Sequence, residues 1–170
     1  DEQFSHVIQL SKGVDHPFLD DLLINFWEIV ESQKPVLFPE VFYVIKTLWQ
    51  KGYKLAVSSG CSPRTVNYKL DAAEISPYFE ITLGTDKNIP SMIKGDGHFN
   101  LIRSHFELSL QEFVSNTIFI GDTNHDMLIG ENAGVLTIGR ITQKNRYELL
   151  NNGGTLAVNN LCELVDLLIN

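Results

Sequence analysis

Five short apolar runs, each followed by a helical pattern, constrain this chain more than any other feature. The runs cover residues 53–58, 79–83, 116–121, 135–138 and 155–158. Each is too short to be a helix and almost wholly apolar, so each predicts a strand buried on both faces. Strands of that kind alternating with helices predict an α/β fold, a doubly wound parallel sheet with helices on both sides. In such a sheet ligands bind beyond the carboxyl ends of the strands. The polar residues that directly follow strands are therefore the functional candidates.

The helices between them are marked by ordinary start and stop signals. Ser62 and Pro63 open one after the first strand, HFNLIRSHFEL lies in the next, another closes at Gly134, and LCELVDLLI ends the chain. Upstream, Asp15 with Pro17 predicts a helix running to about Ser32, and Pro35 forces an extended link. A further helix starts at Pro39. Its apolar face is read as Val41, Phe42, Ile45, Leu48 and Trp49, with Gly52 just past its end. Phe18, Trp27, Phe42 and Trp49 are read as packing residues. The stretch GRITQKNRYELL carries no reading.

Composition narrows the function classes. A chain of 170 residues has room for one ordinary domain, or one with a small appendage. It carries 13 basic and 21 acidic residues, for a formal net charge of −8. No basic cluster offsets that charge, so neither nucleic acid nor an acidic membrane surface is an expected partner. No apolar stretch approaches the roughly 18 residues of a membrane span, and DEQFSHVIQL lacks the pattern of a signal peptide. Cys61 and Cys162 show no Cys-x-x-Cys spacing, which points to a reducing, cytoplasmic setting without structural zinc. Cys61 has no evident base beside it and is read as inert.

Three sites follow strands. Gly121-Asp-Thr-Asn-His-Asp126 is the sharpest. The glycine permits a tight turn, and Asp122 and Asp126 stand one helical turn apart on one side. Two such carboxylates suit magnesium, a hard cation that takes one or two carboxylates with waters and phosphate oxygens. The same pattern also fits a helix N-cap at Asp122 or Thr123 with a first-turn acid at Asp126. Ser58, with the backbone of Ser59 and Gly60, can hold a phosphoryl oxygen. Lys94 follows the second strand and can offset phosphate charge, with Lys87 as a rival. His98 and His105 lack a third ligand and are read as surface or core residues. His125 is assigned no role.

In the order hydroxyl, lysine, Gly-Asp-x-x-x-Asp, these sites resemble the second, third and fourth motifs of the haloacid dehalogenase superfamily. LAVSSG is similar to the second, Lys94 to the third and FIGDTNHDMLIGENAGV to the fourth. LFPEVFYVIKTLWQKGYKLAVSSG resembles the entry from cap to core in phosphoglycolate-phosphatase-like members. The resemblance implies a core over residues 36–170 and a partial helical cap over residues 1–35. It implies a magnesium-dependent phosphatase of small phosphorylated metabolites. Ser58 would bind the phosphoryl group and Lys94 offset its charge. Asp122 would bind the metal, and Asp126 would hold a metal-bound water or orient Lys94.

That family attacks phosphorus with the first aspartate of an Asp-x-Asp motif and uses the second as acid and base. No Asp-x-Asp occurs here, and Asp20-Asp21 falls within a helical pattern. The expectation is a core without its first strand, which in the family lies between the strands ending at Ser58 and Gly121. Residues 4–10 would fill that slot only with a rebuilt linker. The alternative is a catalytically inactive relative or fragment that acts by binding or assembly. A receiver would need acids after the first strand, and a dinucleotide site Gly-x-Gly-x-x-Gly; neither is present. Substrate identity and oligomeric state stay open.

Overall fold

The computed structural model describes residues 34–169 together with Ile29. The helix expected over 15–32 apart from Ile29, residues 4–10, and the expected cap apart from Ile29, Lys34 and Pro35 lie outside the described residues. From Pro35 onward the chain packs as one unit. Its elements are α1 (Val41–Gln50), β1 (Ala56–Ser59), α2 (Pro63–Ala72), β2 (Ile81–Gly84), α3 (Asp96–His105), α4 (Leu110–Asn116), β3 (Ile118–Gly121), α5 (Asn124–Ala133), β4 (Leu136–Arg140), α6 (Arg146–Asn151), β5 (Leu156–Val158) and α7 (Cys162–Ile169). Short 3₁₀ turns cover Ser76–Tyr78 and Pro90–Met92.

All strand pairs are parallel, and they form two sheets, β1-β2 and β3-β4-β5. Ser58 lies opposite Leu83 and Ser59 opposite Gly84. Gly121 lies opposite Gly139, and Arg140 opposite Val158. Among the described residues, β1 and β3 each keep one edge without a strand partner.

Side-chain alternation along the strands builds a core on each face. On one face Leu83, Phe99, Ile102, Phe113, Phe119 and Ile129 form a cluster, with Ala56 and Ile81 packed against it. Phe99 sits 5.1 Å from Phe119, edge to face, and 5.6 Å from Phe113. This cluster draws on β1, β2 and β3, so it bridges the two sheets. On the other face α1 does the same. Its Val44 and Leu48 pack with Val165 of α7, and its Ile45 packs with the Val66–Leu70–Ile75 cluster against Val57. Phe42 and Trp49 turn out half exposed, each in edge-to-face contact with Tyr78. Helical periodicity marks an apolar arc, but the neighbours decide which part of it is covered.

Local signals explain the ends of α1. Gly52 has φ +85°, a conformation that a side chain disfavours. Its N–H donates to Trp49 O at 3.0 Å, and that of Tyr53 donates to Leu48 O at 3.1 Å, the double closure of a glycine-terminated helix. At the other end, Arg140 Nε and Nη2 donate to Glu40 Oε1 at 3.0 and 2.7 Å, and Nη1 donates to Ile141 O at 3.2 Å. The guanidinium carbon lies 3.5 Å from the Phe38 ring centroid. Burial raises the Glu40 carboxyl, but its backbone hydrogen bonds and Arg140 outweigh that and hold it low. The segment entering α1 is thus anchored to the end of β4.

Candidate functional site

The turn from β3 into α5 is fixed by reciprocal capping. Thr123 Oγ1 accepts from the N–H of Asp126 at 3.1 Å, and Asp126 Oδ2 accepts from the Thr123 N–H at 3.2 Å. The same Oδ2 takes the Thr123 hydroxyl at 2.7 Å and the Asp122 N–H at 3.3 Å. The Asp126 side chain folds back over the strand end so closely that a Cβ on Gly121 would lie 2.2 Å from its Cβ. Only glycine fits there. Asp126 is 4 % exposed, whereas Asp122 is exposed and uses Oδ2 to accept from Thr142 Oγ1 at 3.1 Å.

Lys94 Nζ completes the Asp126 site by pairing with Oδ1. Burial raises the Asp126 carboxyl, but hydrogen bonds from Lys94 and Thr123, with the Lys94 charge, outweigh it and hold the group below its ordinary range. Both oxygens are occupied, and the acid is ionised. Because Lys94 follows β2 and Asp126 follows β3, this pair joins the carboxyl ends of the two sheets.

Thr85 ties Lys94 to β1. Its hydroxyl donates to Ser59 O at 3.1 Å and accepts from the Lys94 N–H at 3.2 Å. A continuous chain of contacts therefore runs from Ser59 through Thr85, Lys94 and Asp126 to Asp122. Ser59 Oγ accepts from the Cys61 N–H at 3.1 Å, and the open space around Gly60 leaves this turn accessible. Lys87 is exposed within a turn.

Ser58 reaches in the opposite direction. Its Oγ lies 2.9 Å from His98 Nδ1, and His98 Nε2 lies 3.0 Å from Met92 O. His98 is fully buried. Burial lowers its pKa and the Lys94 charge adds to that, against the Met92 and Gly84 carbonyls. Thr85, Thr142 and the His98 link carry no signal in the sequence. All three act across long sequence separations, where no spacing rule applies. The helix α4 was also missed, although Ser109 and Glu112 cap it reciprocally in the pattern that marks helix starts.

For a metal, the described residues hold no group of three or more His, Cys, Asp or Glu. Magnesium needs fewer: one or two carboxylates with waters and phosphate oxygens. The exposed carboxylate of Asp122 fits that requirement, and the committed carboxylate of Asp126 does not.

Parallel strands under helices on both faces, with polar residues gathered at their carboxyl ends, define a doubly wound α/β protein. The haloacid dehalogenase-like hydrolase family model matches residues 2–140, and the chain belongs to that family. It is 32% identical over 120 residues to a probable phosphatase, IndB, of Dickeya dadantii (strain 3937), which covers 67% of this chain and 48% of that protein. It is 30% identical over 104 residues to phosphoglycolate phosphatase of Pasteurella multocida (strain Pm70), covering 61% of this chain and 44% of that one. A predicted phosphatase from Clostridium acetobutylicum shares the fold, with TM-score 0.68 at 19% identity over 78% of this chain and 59% of that one. The chain spans about half the length of the curated relatives it matches.

Proposed function

We propose that these residues form the phosphoryl- and cation-holding part of a magnesium-dependent phosphatase of small phosphorylated metabolites. The observation that carries this reading is the contact chain joining Ser59, Thr85, Lys94, Asp126 and Asp122 across both sheets. Ser58 and the turn at Ser59 and Gly60 bind the phosphoryl oxygens. Lys94 opposes charge developing on them. Asp126 is a positioning residue that fixes Lys94. Asp122 would hold magnesium, which supplies positive charge to the phosphoryl oxygens when bound.

The nucleophilic aspartate, in this proposal, comes from a segment outside these residues, with a strand that seats between β1 and β3. The free edges of both strands support this, as does Asn124 Oδ1 on the first turn of α5, buried with no hydrogen-bond partner. A p-nitrophenyl phosphate assay with magnesium tests it. Turnover is expected only when a strand bearing Asp-x-Asp is present, and is expected to vanish on chelation or with Asp122→Asn. Turnover by the 170-residue chain alone would place a nucleophile among its own residues. No turnover even with the added strand would leave the alternative of a binding protein.

A further inference from the structure

His98 has no part in that chemistry, yet its buried ring is hydrogen-bonded to the proposed phosphoryl ligand Ser58. The carbonyl of Met92 can only accept, so Nε2 carries a proton and donates to it. A neutral ring then has a bare Nδ1, which must accept from the Ser58 hydroxyl. Burial favours that neutral form. The arrangement is self-consistent, but it directs the single Ser58 proton away from the rim. An arriving phosphoryl oxygen would face only lone pairs.

Two rearrangements would turn that proton outward. Moving the ring proton from Nε2 to Nδ1 would set a lone pair against the Met92 carbonyl. Adding a proton at Nδ1 keeps the Met92 bond and makes Nδ1 a donor to Ser58. We propose that anion binding at Ser58 is coupled to uptake of one proton by His98. The proton comes from solvent and adds to Nδ1. Nδ1–H then donates to Ser58 Oγ, Oγ–H donates to the anion, and Nε2–H stays on Met92 O. No bond to phosphorus forms or breaks. The inference rests on the phosphoryl-binding role given to Ser58 above.

The surroundings permit the change. Lys94 is the charged group acting on His98, and it opposes protonation. It is ion-paired to Asp126 of α5, which stays ionised when lowered below its usual range. The Met92 and Gly84 carbonyls favour the protonated ring. The 3₁₀ turn Pro90–Met92, β1 and β2 bring no titratable side chain to it. Asp96 and His105 lie at the two ends of α3, and His125 is exposed on the first turn of α5. A bound dianion adds the negative charge that the cationic ring requires.

Sulfate is the suitable probe, because it remains a dianion across the working pH range. Nitrogen-15 side-chain spectra of the protein with magnesium should show His98 as the Nε2–H tautomer without sulfate. With saturating sulfate the imidazolium form should appear at higher pH, its titration midpoint raised by about one pH unit, which is about a tenfold tighter sulfate affinity at low than at high pH. His98→Asn, whose amide can present either N–H or oxygen to Ser58, should keep sulfate binding and lose that pH dependence. Sulfate binding that shifts the Ser58–Gly60 amides while His98 stays neutral would overturn the proton coupling and leave the phosphoryl site standing. So would an unchanged pH dependence in His98→Asn. If sulfate perturbs neither those amides nor Lys94 at any pH, the phosphoryl reading of Ser58 fails, and the coupling with it. The wild-type spectra decide the matter even if the variant does not fold.

Discussion

The two sheets meet at one rim but hold their rim residues by different means. On the three-stranded side, Asp126 is gripped by residues three and four positions away, through the capping of α5 by Thr123. On the two-stranded side, Ser58 and Ser59 are gripped by His98 and Thr85, which lie 40 and 26 positions away. The first arrangement forms as soon as the helix starts. The second exists only once β1, β2 and α3 have packed. Lys94 belongs to both, because its backbone hangs on Thr85 and its ammonium on Asp126.

Removing that shared residue should have the largest effect. Lys94→Ala leaves the Asp126 carboxylate buried without its counter-charge and should cost about 3 kcal/mol in urea unfolding. Adding Asp126→Asn should recover part of that loss, since the uncompensated charge is gone. Thr85→Val removes both hydrogen bonds of the long-range tie and should cost about 2 kcal/mol. Thr123→Ala, which removes the local tie, should cost about 1 kcal/mol. Equal losses for these two would show that the local and long-range grips do not differ in strength.

Acid titration separates the halves by window. His98 is held neutral in the folded chain, so its contribution is complete above the unfolded value of about 6.5 and declines as pH falls below it. Asp126 is held low, so its contribution is complete above the usual aspartate value of about 3.9 and is lost as pH falls through its lower folded value. The urea midpoint should therefore decline in two stages on acidification. His98→Asn should remove the first stage and spare the second. Thr142→Ala touches only the exposed Asp122 carboxylate and should shift stability by less than about 0.5 kcal/mol.

The same difference explains what the sequence reveals. Gly121, Thr123 and Asp126 form a short pattern with a mechanical meaning, and Ser62 caps α2 where Ser-Pro predicts it. Strand positions followed from apolar runs because parallel strands are buried on both faces. Their first residues lie one to three positions later and their last residues none to two, since hydrogen-bond register, not composition, sets them. β4 extends to Arg140 because that residue is in register with Val158 of β5, and the next N–H, of Ile141, donates to Val158 O at 2.8 Å. Asn145 and Glu148 cap α6 reciprocally, a local signal that lies within GRITQKNRYELL. His98 had no such signal. A lone histidine in an apolar helix face identifies its partner only when the strand opposite is in place.

The forked contact of Arg140 with Glu40 carries an electrostatic corollary. A guanidinium at a strand terminus is a natural anion trap, but this one is neutralised by Glu40, as Lys94 is by Asp126. Among Glu40, Arg140, Lys94, Asp126 and Asp122, only Asp122 has no opposite charge paired with it, so this group of five is net repulsive to an incoming oxyanion. Every positive charge delivered to Asp122 reverses that polarity, so occupancy by cation and by anion should rise together.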